Sequence, residues 1–221
     1  PIDKNTKERG FGYLRDVLNG KVRFDWYGQA AWSCTRALAL YTLALSGKPE
    51  FGYMEKLYSE RASIGLFAKA YLLKALVAAK GNPTMISELV RDLMNNAKVA
   101  PTSAHFEERE ASDWYWIFHS NGRTTALILQ ALVETQPDNS LIPKVVRWLL
   151  DQQKTGCWRT TQENLYVVDA LATYFKAYEK EEPNFTAEIR IAGGEFMKEL
   201  FKGRSLKPVA KEIPLAELQR G

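Results

Sequence analysis

The sequence predicts a mainly α protein: an incomplete α/α toroid, a barrel of helical hairpins, followed by a short β segment. Three observations carry this. Apolar residues recur at three- and four-residue steps over about 27–180. A seven-residue frame closed by an Ala-Leu pair returns in several of those segments. After Pro183 the period of the pattern changes to two.

In chain order, a first helix is expected over 29–45, stopped by Ser46-Gly47-Lys48-Pro49. A short one covers 52–58. Another begins after Ser63, runs through 68–76 and ends at Gly81-Asn82. Pro83 opens a helix to about 97, because the missing proline N–H has no partner to lose in a first turn. Over 99–116 the rhythm breaks into an irregular connection with room for a short hairpin. Helices resume at 121–134, 141–153 and 161–179, with Asp138-Asn-Ser140 and Thr160-Thr161 placed as N-caps. Strands are expected at 185–191 and 195–201 about a Gly193-Gly194 turn, and one more short β-like stretch within 207–218. This divides the chain into a helical domain over 1–182, truncated at its N-terminus, and a β segment over 183–221.

The recurring frame is apolar-x4-Ala-Leu. It reads Ala70-Tyr-Leu-Leu-Lys-Ala-Leu76, Ala126-Leu-Ile-Leu-Gln-Ala-Leu132 and Leu165-Tyr-Val-Val-Asp-Ala-Leu171, with a looser copy at Ala37-Leu-Ala-Leu-Tyr-Thr-Leu43. Unequal spacing argues against a strict solenoid. The small residues let neighbouring helices approach closely, so these helices are expected innermost.

Composition narrows the function. The 221 residues are 46% hydrophobic and 25% charged, a globular balance with enough length for a sizeable core. Thirty Lys and Arg against 26 Asp and Glu leave a net charge of +4, and the charges are interspersed. No stripe for nucleic acid and no polybasic membrane patch stands out, and no apolar run approaches a bilayer span. Cys34 and Cys157 form no zinc pair; two thiols buried separately in helix packing are expected in preference to one long-range disulfide. His105 and His119 are too few for a multi-histidine metal site. The start at Pro1, without Met or signal peptide, reads as a cut through a longer protein.

Gln152-x3-Gly156-x-Trp158 is a QW-type signature of α/α toroids. In it the glutamine ties a helix end, the glycine permits a turn and the tryptophan packs beneath the next helix. It reports architecture and no reaction. Asp25-Trp26 precedes the first strong helix in a similar turn. The scattered aspartates lack the clustering a terpene cyclase needs, and no histidine neighbours a cysteine as a prenyltransferase zinc site requires. An (α/α) barrel acting on carbohydrate would need paired carboxylates by aromatic platforms. Its candidates are Glu163 and Asp169 with Trp114, Trp116 and Trp158, yet the two carboxylates stand six apart and face different sides of one helix. Neither GxSxG nor a P-loop occurs.

The runs Ala37-Leu-Ala-Leu-Tyr-Thr-Leu-Ala-Leu-Ser-Gly47, Lys56-Leu-Tyr-Ser-Glu-Arg61, Ala68 to Leu76 and Ser120-Asn-Gly-Arg-Thr-Thr-Ala-Leu127 resemble bacterial α2-macroglobulin family proteins. The match is sharpest at Thr161-Gln162-Glu163-Asn164, opening a helix that ends in Ala170-Leu171, and covers roughly 20–180. The resemblance implies the α/α-toroid domain that bears a thioester in many members. It implies a large secreted or periplasmic parent, often lipid-anchored, that entraps a protease after bait cleavage. The family's thioester motif is Cys-x-Glu-Gln, and this sequence departs from it. Cys34 is followed by Thr35-Arg36-Ala37, Cys157 by Trp158-Arg159-Thr160, and Gln162-Glu163 is reversed. No thioester is therefore assigned here; the motif lies ahead of Pro1, or the protein belongs to the branch without it.

The resulting expectation is a protease-trapping fragment that packs against β-sandwich domains and rearranges after bait cleavage. It has no enzymatic activity of its own and no catalytic, cofactor-binding or metal-binding residues. Its partners are a target protease, met through the full-length protein, and intramolecular β-sandwich domains; nucleic acid and membrane insertion are not among them. Gln162 is expected to cap its helix or bridge to the preceding turn, and Glu163 to favour the positive helix end. The alternatives are the carbohydrate-active barrel and a helical-repeat binding module. The trap reading predicts a filled centre without convergent titratable groups.

Overall fold

The computed structural model describes residues 2–23, 25, 28–108, 119–178, 183–191, 194–203, 209 and 211–212. Its helices are α1 (Lys4–Leu18), α2 (Gln29–Leu45), α3 (Phe51–Ser59), α4 (Leu66–Ala78), α5 (Pro83–Met94), α6 (Asn121–Thr135), α7 (Leu141–Asp151) and α8 (Thr161–Tyr178). Strands β1 (Ala97–Val99) and β2 (Ala104–Phe106) lie between α5 and α6; β3 (Asn184–Ile191) and β4 (Gly194–Lys202) follow α8. The chain separates into two compact units, 1–174 and 175–221.

In the first unit each helix packs on its successor from α1 to α7, while α2, α4 and α6 also pack on one another as an inner row. Every residue of α4 from Leu66 to Leu76 is buried, as is every residue of α6 from Gly122 to Val133. Such all-round burial needs neighbours on every side. Helices α5 and α7 bury only a stripe, Met85, Leu89, Val90 and Leu93 in one and Ile142, Val145, Val146 and Leu149 in the other, as outer helices do. The frame-bearing helices are thus the inner ones, as the sequence predicts for α2, α4 and α6. The fourth, α8, buries Glu163, Val167, Ala170 and Leu171 and leaves Leu165 and Val168 exposed, so it covers the row on one side only.

The local signals hold with specific changes. Asn82 Oδ1 accepts from the Thr84 N–H ahead of Pro83, Ser120 Oγ from Arg123, and Thr160 Oγ1 from Glu163. At α7 the cap is Asn139, which accepts from Leu141 N–H at 2.9 Å, and Ser140 makes no side-chain cap bond. Helix α5 ends at Met94, and Ala97, expected to be helical, begins β1. The expected hairpin forms there, pairing Ala97 with Phe106 and Val99 with Ala104. Phe106 is bound to α6, its N–H donating to Thr125 Oγ1 at 3.1 Å and its carbonyl accepting the same hydroxyl at 3.2 Å. Gly81 closes α4 by close approach: its N–H reaches Leu76 O at 2.8 Å, where an added Cβ would stand 2.8 Å from Leu76 Cδ2.

Helix α1 is absent from the sequence-based reading. Asp3 caps it through Thr6 N–H at 3.0 Å, and only Val17 and Leu18 are buried. The Asp3-x2-Thr6 cap and the spacing of Phe11, Leu14, Val17 and Leu18 were the available signals.

In the second unit β3 and β4 form an antiparallel hairpin, with Phe185 opposite Phe201 and Ile189 opposite Met197. The observed bounds lie within a residue of those expected. The Gly193 part of the turn and nearly all of 207–218 lie outside the described residues.

Candidate functional site

The N-termini of the inner helices are held by groups of very different origin. Helix α4 follows Gly65, which offers no side-chain cap. Its first N–H groups are met from beyond β2: Leu66 and Phe67 donate to Glu108 Oε2 and Oε1 at 2.9 and 2.5 Å. Both carboxylate oxygens are thereby committed to a positive helix end. Burial pushes the Glu108 carboxyl above its ordinary value, opposed by those two N–H bonds and by the nearby Arg123 guanidinium.

Arg123 is the centre of this end of the row. It is 4% exposed, with its guanidinium 4.1 Å from the Phe67 ring centroid and 5.7 Å from that of Tyr166. Burial pulls its pKa down, while Tyr166, Cys34, Tyr71 and Glu108 pull the other way. The Tyr71 and Tyr166 hydroxyls are 2.7 Å apart and tie α4 to α8; burial and this contact raise the Tyr71 phenol. His119, half-buried beside the start of α6, is lowered to about 4 by burial and by Arg123, against a bond with Asn121.

At α8 the start is set by the QW-type turn. Gly156 has φ +83, a conformation that favours glycine, and Lys154 and Cys157 exchange backbone bonds across the turn. Trp158 is buried, and its indole N–H donates to Leu149 O at 2.8 Å, at the end of α7. Asn164 then clamps the turn, accepting from Trp158 N–H and donating to Trp158 O and Thr160 O. Thr160 therefore caps the helix and Asn164 bridges to the turn, the two tasks expected of Gln162. Glu163 is buried in the first turn of α8, facing Gly122 of α6, where an added Cβ would stand 3.3 Å from Glu163 Oε1. A cleft of about 870 Å³ opens between these pieces, walled by Glu108, Asn121, Trp148, Lys154, Trp158 and Glu163 among others. His105 stacks on Trp148 at 4.6 Å and bonds Glu107 at 2.9 Å.

The sequence candidates are dispersed. Glu163 sits buried at the start of α8, whereas Asp169 is solvent-facing two turns on and accepts from Gln130 of α6 at 2.7 Å. The two carboxylates are not brought together, and Trp114 and Trp116 lie outside the described residues. Cys34 is buried as expected. Cys157 is exposed, contrary to expectation, because the turn that carries it lies outside the helix packing, with Gln152 to Cys157 all exposed; neither thiol is in a disulfide. Among the described residues, no group of three or more His, Cys, Asp or Glu could hold a metal ion, and no helix is long and apolar enough to cross a membrane.

The expectation of a centre without convergent titratable groups is overturned. Lys74, 3% exposed on α4, donates to Gln130 at 3.1 Å and to Glu134 at 2.5 Å, and Asp169 continues the chain from Gln130. These groups lie on helices whose sequence spacing is irregular, so their meeting was invisible before the helices were packed. Glu108, beyond β2, and Arg123, on α6, were missed because each meets α4 from tens of residues away.

The arrangement is one in which ionisable side chains hold backbone and one another. This is the interior of an α/α toroid fastened at its helix ends. A family model described as the A-macroglobulin TED domain matches residues 44–174. The chain belongs to the A-macroglobulin family, and the matched region ends where the first compact unit ends. It is similar to the alpha-2-macroglobulin homolog of Nostoc sp., 24% identical over 223 residues that span 100% of this chain and 11% of that protein. Among solved structures it resembles Salmonella alpha-2-macroglobulin reacted with methylamine, with a TM-score of 0.69 at 18% identity over 92% of this chain and 12% of that one. The native conformation of Escherichia coli alpha-2-macroglobulin gives a TM-score of 0.66 at 19% identity, over 91% of this chain and 12% of that one. The chain thus spans about a tenth of the length of these relatives.

Proposed function

We propose that this chain is the later part of the toroid of a macroglobulin-like protease trap, working as a packing and moving domain without chemistry of its own. The observation that carries the reading is the state of its inner polar groups. Glu108 is spent on the first N–H groups of α4, Trp158 on the end of α7, and Asn164 on the turn before α8. Groups so committed fix geometry instead of meeting substrate. The family match supports the trap as the setting.

Strands β3 and β4 open the β-sandwich domain that follows, to which the segment 183–221 belongs. The exposed Phe185 and Ile189, which share one face of the hairpin, support this, being apolar side chains that await a covering sheet. The parent works outside the cytoplasm, in the periplasm or cell envelope or after secretion, in host defence. Its partner is a target protease, engaged when it cleaves a bait segment elsewhere in the molecule.

The test uses the full-length protein mixed with a trypsin-like protease and resolved on a reducing denaturing gel. A covalent adduct that methylamine abolishes supports a trap whose thioester lies outside these residues. Discrete cleavage without an adduct supports a trap without one. Absence of any discrete bait cleavage overturns the reading and favours a helical binding module.

A further inference from the structure

The residue just before the Ala-Leu pair of the repeated frame is Lys74 in α4, Gln130 in α6 and Asp169 in α8; its counterpart in α2 is Tyr41. The fold brings these four positions into one chain. Lys74 Nζ lies 5.3 Å from the Tyr41 ring centroid and donates to Gln130 Oε1 at 3.1 Å. Gln130 Nε2 donates in turn to Asp169 Oδ2 at 2.7 Å. Glu134, one turn beyond Gln130 on α6, takes a second bond from Lys74 at 2.5 Å. The order of residue types is chemically directed. An ammonium only donates, a carboxylate only accepts, and a carboxamide does both, so the glutamine must stand between them.

Hydrophobic burial alone leaves the seating of α8 under-determined. The helix carries apolar residues on its buried stripe, Val167, Ala170 and Leu171, and on its exposed side, Leu165 and Val168. A slide of one residue along any of these helices turns its frame position by about 100°. That would leave Lys74 or Gln130, 3% and 5% exposed, without a partner in apolar surroundings. We propose that Tyr41, Lys74, Gln130 and Asp169 form a register lock, one residue from each frame-bearing helix, which couples α8 at the edge of the row to α4 and α2. It does not depend on the trap reading.

Hydrogen exchange of the full-length protein, followed by mass spectrometry, tests this. Asp169 faces solvent, so Asp169→Ala leaves the core intact. The lock predicts that α8 amides over 165–174 exchange about tenfold faster, the loss of one charge-assisted bond, while α3 is unchanged. Gln130→Glu, which sets two carboxylates against each other, has the same effect. Adding Asp169→Asn to Gln130→Glu restores slow exchange, because the new carboxamide at 169 donates to the new carboxylate at 130 while Lys74 still donates. Unchanged α8 exchange in Asp169→Ala overturns the proposal, since a merely solvated carboxylate would behave that way. So does a double variant as fast as Gln130→Glu alone, or acceleration spread equally over α3.

Discussion

Asn164 holds both polar ends of Trp158: its Oδ1 accepts from the Trp158 N–H at 3.2 Å and its Nδ2 donates to the Trp158 carbonyl at 2.8 Å. The same amide also reaches Thr160 O at 2.7 Å. One side chain in the first turn of α8 therefore closes the loop that carries the QW-type tryptophan. Asn164→Ala is expected to destabilise the domain by about 1–3 kcal/mol, leaving the Trp158 carbonyl and N–H unmet, while Thr160 O keeps its bond from the Asn164 backbone N–H. Asn164→Asp retains the acceptor and loses the donors, so it should fall between wild type and the alanine variant. Urea unfolding midpoints measure both.

Glu108 caps a helix that begins 42 residues before it. Glu108→Ala should cost about 2 kcal/mol by leaving the Leu66 and Phe67 N–H groups without an acceptor. Glu108→Gln should cost less, since one acceptor stays and a buried charge goes. The pH dependence distinguishes them. A folded carboxyl raised above the ordinary 4.5 makes the native state bind the proton more tightly. The contribution is full below pH 4.5 and declines as pH rises through the folded value. Glu108→Gln removes that decline, and a decline that persists in the variant contradicts the assignment.

His119 runs the opposite way. Its folded value of about 4 lies below the ordinary 6.5, so the unfolded chain takes up the proton first. Stability falls as pH drops from 6.5 to about 4, by roughly 1–2 kcal/mol once its partial exposure is discounted. His119→Gln should flatten that limb. An imidazole resonance titrating near 6.5 in the folded protein would refute the cause given.

Gly81 is needed where α4 ends. Gly81→Ala places a Cβ 2.8 Å from Leu76 Cδ2 and 3.3 Å from Leu76 O. The fully packed Leu76 must move, at a cost of about 1–2 kcal/mol. A calorimetric midpoint equal to that of wild type would show that α4 relaxes freely there.

How far the fold could be read in advance follows from where each signal lies along the chain. Pro83, the caps at Asn82, Ser120 and Thr160, and the Ala-Leu frames are local, and the helices they mark form within a few residues of their expected bounds. Helix α1 was missed because its first half, Lys4 to Gly10, is polar, and only its second half carries the apolar spacing of Phe11, Leu14, Val17 and Leu18. Within the site, Trp158 and Glu163 stood out because they belong to short motifs, whereas Asn164 drew notice only as part of one. Cys157 was misplaced because a residue type's habit of burial says nothing of which turn lies outside the packing.

By itself the sequence determined helices α2 to α8, the inner place of α2, α4 and α6, the β hairpins and the family resemblance. Helical periodicity, capping and turn chemistry act over a handful of residues, and each is written in the segment it shapes. Only the tertiary structure decided that Glu108 caps α4, that Arg123 lies on Phe67, and that Lys74, Gln130 and Asp169 join hands across three helices. Those pairings link residues tens of positions apart. Their partners are chosen by which helix faces meet, and a buried polar group is bound to take whichever complementary group that packing brings within reach.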